Sequence, residues 1–187
     1  MQNLKDETTF LMIKPDGVKK GLVGEIIKRI EQRGLKIVRL EMAEPGREMV
    51  MKHYPTSDAW VMRLGDKLLA NFEKFGYDPV AEFGTVDPKT IGEQVKKWLV
   101  DYMTLGPIVK MIIQGPHAID MVRKIVGPTI PANAEMGTIR GDFSVDSSAL
   151  STKEKRAIYN LAHASENLEE ATHEIKLWFG DSKIFDY

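Results

Sequence analysis

Short unbroken apolar runs alternate along this chain with amphipathic stretches. Residues 8–13 (Thr-Thr-Phe-Leu-Met-Ile) form a run of strand length that stops at Pro15-Asp16-Gly17, so a first strand delivers Lys14 at its end. Between Gly21 and Gly34 apolar residues recur at Leu22, Ile26, Ile27 and Ile30 with charges between them. That is the period of a helix covering one sheet face and closing on a glycine. Residues 35–42 alternate as a second strand, and Pro45-Gly46 leads into a short helix ending near His53 and Tyr54. The opening pattern is therefore β-α-β.

Residues 55–90 break that rhythm, mixing helical pieces such as 59–75 with turn signals at 76–79 and 87–88, and are expected to form a mostly helical insertion. A helix over 91–103, a buried strand over 108–113 and a helix over 118–126 follow. Residues 127–137 read as a loop with no hydrophobic period; beyond 138–143 come a last short strand over 158–163 and a closing helix over 167–179. The order β-α-β, insertion, β-α, long loop and β-α predicts an α+β fold of ferredoxin-like character, with helices packed on an antiparallel sheet. A length of 187 residues suits a single domain over 1–187 with the insertion inside it.

Composition narrows the function classes. With 26 Lys plus Arg against 27 Asp plus Glu, the net charge is −1. Nothing global selects nucleic acid or a membrane as partner, so neither is expected, and any anion site must be local. The absence of cysteine excludes disulfides, thiolate metal centres and cysteine nucleophiles. Residues 1–7 hold no run of signal-peptide length, and no apolar run approaches the ~18 residues needed to cross a bilayer. A cytoplasmic location is expected.

The candidate chemistry centres on Asn160-Leu-Ala-His163-Ala-Ser165. A lone histidine between Ala162 and Ala164 leaves room for a bulky group to approach the ring. A carboxylate such as Glu174, on the helical run that follows, can fix which nitrogen keeps its proton and which is free to attack. The plain alternative is a strand-end histidine satisfied by a backbone partner. Lys14, Tyr54, Arg123, Thr129, Arg140 and Asn160 fall at strand ends and loops. Guanidinium forks match phosphate oxygens and a lysine adds a point charge, so this set suits a polyphosphate held against a nucleophile. Spacing alone does not bring its members together.

The segments Ile13-Lys-Pro-Asp-Gly-Val18, Arg123 with Gly127, Thr129 and Pro131, Gly137-Thr-Ile-Arg-Gly-Asp-Phe143, Asn160-Leu-Ala-His-Ala-Ser165 and Glu174-Ile-Lys-Leu-Trp-Phe179 follow one another as in a known family. In them the chain resembles the nucleoside diphosphate kinases. The resemblance implies a phosphotransferase that moves the γ-phosphate of a nucleoside triphosphate to a nucleoside diphosphate by a ping-pong route through a phosphohistidine. His163 is then the nucleophile and Glu174 the carboxylate on its second nitrogen. Lys14, Tyr54, Arg123, Thr129, Arg140 and Asn160 go to the phosphates and ribose. Mg²⁺ is implied as a cofactor held by the nucleotide's phosphates, with no metal site made of protein alone. The resemblance also implies a homo-oligomer, a hexamer rather than a tetramer because Pro131 lies in the loop that makes the hexamer's threefold contacts.

Ala164 stands where the family motif has glycine, and Glu166 where it has aspartate. The stretch 55–90 is longer than the family's helical hairpin, which supplies the aromatic residue on which the base stacks. A helical lid is expected there, with Trp60 as the first choice for that aromatic and Phe72 and Phe75 behind it. A smaller extension over 146–155 precedes the nucleophile segment. Two other readings exist: a ferredoxin-like nucleotide- or RNA-binding module without catalysis, and a metal site of His53, His163 and His173 with carboxylates. Against them stand the lack of an aromatic-rich RNA-binding strand and of histidines paired at ligand spacing.

Overall fold

A computed structural model describes residues 6–181 and 183–187; the chain start read above for signal character lies largely outside them. The chain runs β1 (Glu7–Ile13), α1 (Pro15–Lys19), α2 (Val23–Gln32), β2 (Lys36–Ala43) and α3 (Arg47–His53). Next come α4 (Asp58–Phe75), α5 (Pro79–Phe83), α6 (Pro88–Met103), β3 (Ile108–Gly115) and α7 (Ala118–Val126). A 3-10 turn at Pro131–Asn133 leads to α8 (Ile139–Phe143), α9 (Ser148–Lys153), β4 (Ala162–Ala164) and α10 (Leu168–Phe179). The strands form an antiparallel sheet in the order β2-β3-β1-β4, two interleaved β-α-β units, which is the ferredoxin-like arrangement the element order predicted.

Both sheet faces are covered, which is why β1 and β3 read as apolar runs and not as alternating ones. Leu11 and Ile13 of β1 pack with Ile26 and Ile30 of α2 and Val122 and Val126 of α7. Their neighbours Phe10 and Met12 point the other way, into a core with Val50, Val100, Trp178 and Phe179 from α3, α6 and α10. The period of two along β1 thus divides the molecule into two cores. His163 pairs with Met12 in the β1–β4 register and so stands at the edge of the second core.

The insertion is helical, as expected, but its packing is not that of a lid. Side chains cap its helices: Ser57 Oγ accepts from Trp60 N, Asp78 Oδ1 from Val80 N and Asp87 Oδ2 from Thr90 N. Helices α4 and α6 lie backbone to backbone, since a Cβ on Gly65 would stand 1.9 Å from Pro88 O and one on Gly92 2.0 Å from Val61 O. A third apolar cluster of Leu68, Phe72 and Ile91 fills the seam, with Phe83 and Trp98 against it. From α5, Glu82 reaches Lys155 beyond α9 at 2.5 Å, so the insertion and the second extension brace each other.

The last strand is shorter and later than the 158–163 expected. Leu161 has φ 68°, a left-handed conformation that a leucine adopts only at a cost, and extended structure cannot run through it. Pairing begins at Ala162.

Candidate active site

The loops at the C-terminal ends of β1 and α7 and at the start of β4 enclose a cleft of about 400 Å³, within the usual size of a small-molecule site. All of Lys14, Tyr54, Arg123, Thr129, Arg140, Asn160 and His163 line it, with Leu99, Glu166 and Glu170 in addition. Residues 146 positions apart in sequence bond to each other here: Lys14 Nζ donates to Asn160 Oδ1 at 2.8 Å, and Asn160 Nδ2 to Thr129 O at 3.0 Å. Lys14 is buried beneath the cleft with its ammonium 5.1 Å above the Tyr102 ring. Burial, and then the nearby Arg140 cation, push its pKa down to about 7.

Arg140 lines the cleft and also holds backbone beneath it. Its Nε donates to Asn160 O (3.0 Å), Nη1 to Gly127 O (2.6 Å) and Nη2 to Ala162 O (2.6 Å). Three of its five N–H bonds therefore hold the backbone on both sides of Leu161 and of the loop after α7, and two are left for an anion. Arg123, in the last turn of α7, is 44% exposed and 3.7 Å from Glu166 Oε1, the residue that replaces the family's aspartate. It is the cation freest to meet a ligand at the mouth of the cleft.

Two residues to which no role was attached hold the loop before His163 from below. Asp16 Oδ1 accepts from the Tyr102 hydroxyl at 2.7 Å and Asp16 Oδ2 from Leu161 N at 3.1 Å, while Tyr102 Oη accepts from Asn160 N at 3.1 Å. These bonds, with the Arg140 fork, impose the strained Leu161 conformation. Asp16 sits inside the Pro15-Asp16-Gly17 breaker and was legible there only as a turn residue.

On β4, His163 Nε2 lies 2.6 Å from Glu174 Oε1, and Ser165 Oγ donates to Glu174 Oε2 at 2.6 Å. Glu174 is 1% exposed, and burial raises its pKa, while the adjoining His53 and the Ser165 bond work against that rise. A carboxylate can only accept here, so the His163 proton resides on Nε2. Nδ1, on the ring's other edge, makes no hydrogen bond among the described residues. Burial, followed by the Lys14 and Arg140 cations, drives the His163 pKa down and keeps the ring neutral at pH 7. The result is a neutral imidazole with one nitrogen anchored and the other available, at the floor of a cleft lined by cations. That is an arrangement for nucleophilic attack on a bound anion.

A sequence profile of nucleoside diphosphate kinases matches residues 7–62 and 89–184 of this chain. The chain belongs to the nucleoside diphosphate kinase family. A relative from Pyrobaculum aerophilum named nucleoside diphosphate kinase is 48% identical over 180 residues, covering 96% of this chain and 98% of its own. The solved structure of an NDP kinase from the same organism superposes with a TM-score of 0.93 at 46% identity, over 97% of this chain and 100% of that one. The Borrelia burgdorferi nucleoside diphosphate kinase, solved as a transition-state mimic with bound vanadate and ADP, superposes at 0.78 with 32% identity, covering 99% and 94% of the two chains. The unmatched residues 63–88 are the core of the insertion read in the sequence.

Three expectations need correction within this family site. None of the residues from 61 to 90 lines the cleft, so the insertion is not a lid over it. Phe72 is 2% exposed in the α4–α6 seam and Phe75 leans on Tyr77 outside the cleft, which removes both as base-stacking residues. Trp60 does not line the cleft either, but stacks behind Tyr54, which does, with ring centroids 6.0 Å apart at 25°. Finally, His53 and His163 do meet in space, their ring centroids 4.7 Å apart, whereas the third histidine of the metal reading, His173, is exposed and outside the group. The extension over 146–155 folds back through Asp146, which bonds Arg156 and the Tyr159 amide, and so returns the chain to the loop before His163.

Proposed function

We propose that this chain is a nucleoside diphosphate kinase in activity as well as in family. Nδ1 of His163 attacks the γ-phosphorus of a nucleoside triphosphate, an N–P bond forms as the bond to the β,γ-bridging oxygen breaks, and a nucleoside diphosphate leaves. A second nucleoside diphosphate then takes the phosphoryl group from Nδ1 by the reverse displacement. The observation that carries this reading is the single anchored, neutral histidine at the floor of the cationic cleft.

As the ring acquires positive charge in the transition state, the Glu174 carboxylate on Nε2–H stabilises it. Lys14, Arg123 and the two remaining Arg140 N–H bonds take phosphate oxygens, and Tyr54, Thr129 and Asn160 complete the polar wall toward the phosphates and ribose. The base lies toward Leu99 and Tyr54, with Trp60 supporting Tyr54 from behind. Magnesium enters as part of the nucleotide complex: the lining pairs cations and neutral groups with carboxylates only at the rim, which suits a metal carried by the substrate.

The matched stretches form one catalytic unit with residues 63–88 as an inserted brace. Self-association into a homo-oligomer, a hexamer in our reading, is supported by apolar side chains left in solvent, with Leu40 and Met42 on β2 and Met136 in the loop that follows Pro131. The cytoplasm is the compartment this reading favours.

Incubation with magnesium and ATP radiolabelled in the γ-phosphate tests the proposal. Acid-labile, alkali-stable label that disappears in His163→Ala and is discharged by added nucleoside diphosphate is the expected result. Label that survives in His163→Ala places the phosphate elsewhere, and no label at all refutes the mechanism.

A further inference from the structure

We propose that Asp16 and Tyr102 are positioning residues for the transfer at His163: together they set the backbone of Asn160 and Leu161, and with it the placement of the histidine that follows. The inference rests on the kinase reading above. Neither side chain lines the cleft, so their effect must pass through the chain they hold.

The turn they hold is strained. Ala162 N donates to Asn160 O at 2.7 Å across Leu161, whose φ is 68°; that bond and that dihedral belong to the rarer form of γ-turn. A leucine persists in such a place only where its surroundings over-determine it. Here every backbone N–H and C=O of residues 160–162 has a partner. Asn160 N donates to Tyr102 Oη and Leu161 N to Asp16 Oδ2. Leu161 O accepts from Lys14 N at 2.8 Å, and Arg140 bonds Asn160 O and Ala162 O.

Asp16 and Tyr102 act as one unit. Because the Tyr102 hydroxyl also donates to Asp16 Oδ1, the pair and two consecutive amides close a ring of hydrogen bonds. Tyr102 comes from α6 and is buried; Asp16 comes from α1, which approaches so closely that a Cβ on Gly17 would stand 2.7 Å from Leu161 O. On one side of the turn Asn160 Oδ1 receives the Lys14 ammonium. On the other the chain enters β4, with His163 as its second residue. Releasing the turn therefore moves the histidine relative to the lysine that would hold the phosphate. A misplacement of about 1 Å can cost roughly 100-fold in rate.

Two near-isosteric variants of the full chain test this. Tyr102→Phe removes the hydroxyl but keeps the ring beneath the Lys14 ammonium and 4.9 Å from Tyr159. Asp16→Asn offers one acceptor oxygen where the ring of bonds needs two. In single-turnover labelling with magnesium and γ-labelled ATP, each should show a maximal rate at least ~10-fold slower, with half-saturation moving less than the rate. The double variant should lose little more than either single one, since both break the same ring. Independently of any nucleotide, hydrogen exchange measured by NMR should quicken at the Asn160 amide in Tyr102→Phe. Gly65→Ala, altered in the α4–α6 seam, controls for lost stability and should label at the unmodified rate. Should Asp16→Asn not fold, Tyr102→Phe carries both measurements. An unmodified chain that takes no label refutes the kinase reading and this inference with it. Full-rate labelling in Tyr102→Phe, an Asn160 amide as protected as before, a loss confined to half-saturation, or an equal loss in Gly65→Ala overturns the positioning role alone.

Discussion

Replacing Glu174 with glutamine removes a charge beside His163, the proposed nucleophile, while keeping the shape of its partner. The 2.6 Å contact between Glu174 Oε1 and His163 Nε2 is charge-assisted, and its strength matters most when the ring turns cationic. Hydrogen bonds to charged groups contribute about 1.5–3 kcal/mol and neutral ones about 0.5–1.5, so the exchange costs roughly 1–2 kcal/mol in the transition state. That corresponds to phosphoenzyme formation about 5- to 30-fold slower. Nucleotide affinity should hardly change, because Glu174 lies behind His163 and does not line the cleft.

Rapid-quench single-turnover labelling over a range of nucleotide concentrations separates the two quantities. A slower maximal rate at unchanged half-saturation is the expected outcome for Glu174→Gln. Labelling at the unmodified rate would show that the carboxylate only fills space. A shift confined to half-saturation would show that it acts on binding. Glu174→Ala should be worse than glutamine, since it leaves the Ser165 hydroxyl and the imidazole N–H without acceptors in a buried place.

Three further outcomes follow from the same geometry. Because the Lys14 pKa is lowered to about 7 by burial and Arg140, its cation is present below that pH and lost above it, so ADP affinity of the free chain should weaken as pH rises from about 6 to 9; titration calorimetry showing a flat profile, or one equal to that of Lys14→Met, would contradict this. Arg140→Lys keeps a charge but not the fork to Asn160, Gly127 and Ala162, and with at least two buried carbonyls orphaned it should lose at least about 2 kcal/mol in thermal unfolding together with most of its labelling rate; full stability would show the fork to be dispensable. Gly65→Ala places a Cβ 1.9 Å from Pro88 O and should cost about 1–3 kcal/mol by forcing α4 from α6, while His163 still labels; Gly24→Ala, with nothing within 4 Å, is the control and should not destabilise.

Elements were legible in the sequence where one periodicity had one cause. The apolar run of β1, the charges between Leu22 and Ile30, and the glycine and proline breaks each have a local reason, and the strands and helices stand close to where those patterns put them. Local pattern failed where a distant contact decided. Leu161 reads as an apolar strand residue, yet the Asp16 carboxylate and the Arg140 fork hold its flanks and turn its backbone left-handed, which shortens β4. Phe72 and Trp60 belong to one helical run in which core packing and base stacking look alike in sequence; the close approach at Gly65 and Gly92 puts Phe72 in a seam and leaves Trp60 against Tyr54.

The candidate site shows the same division more sharply. Which side chains reach the cleft was readable from residue type and from the family resemblance, because a polyphosphate demands that chemistry. Which nitrogen of His163 is left unbonded was not. That depends on Glu174 arriving from the next helix at Nε2, and on His53, 125 residues before Trp178, closing the far side of the same carboxylate. The identity of a nucleophile belongs to its residue, but its usable atom belongs to the fold. A histidine whose Nε2 is held by a buried acid presents Nδ1, and any change that frees Glu174 should therefore alter the position of phosphorylation as well as its rate. Glu174→Ala should distribute label between the two ring nitrogens, distinguishable by their phosphorus chemical shifts, whereas the unmodified chain carries it on Nδ1 alone. Label confined to Nδ1 in both chains would mean that the cleft, and not the acid, selects the atom.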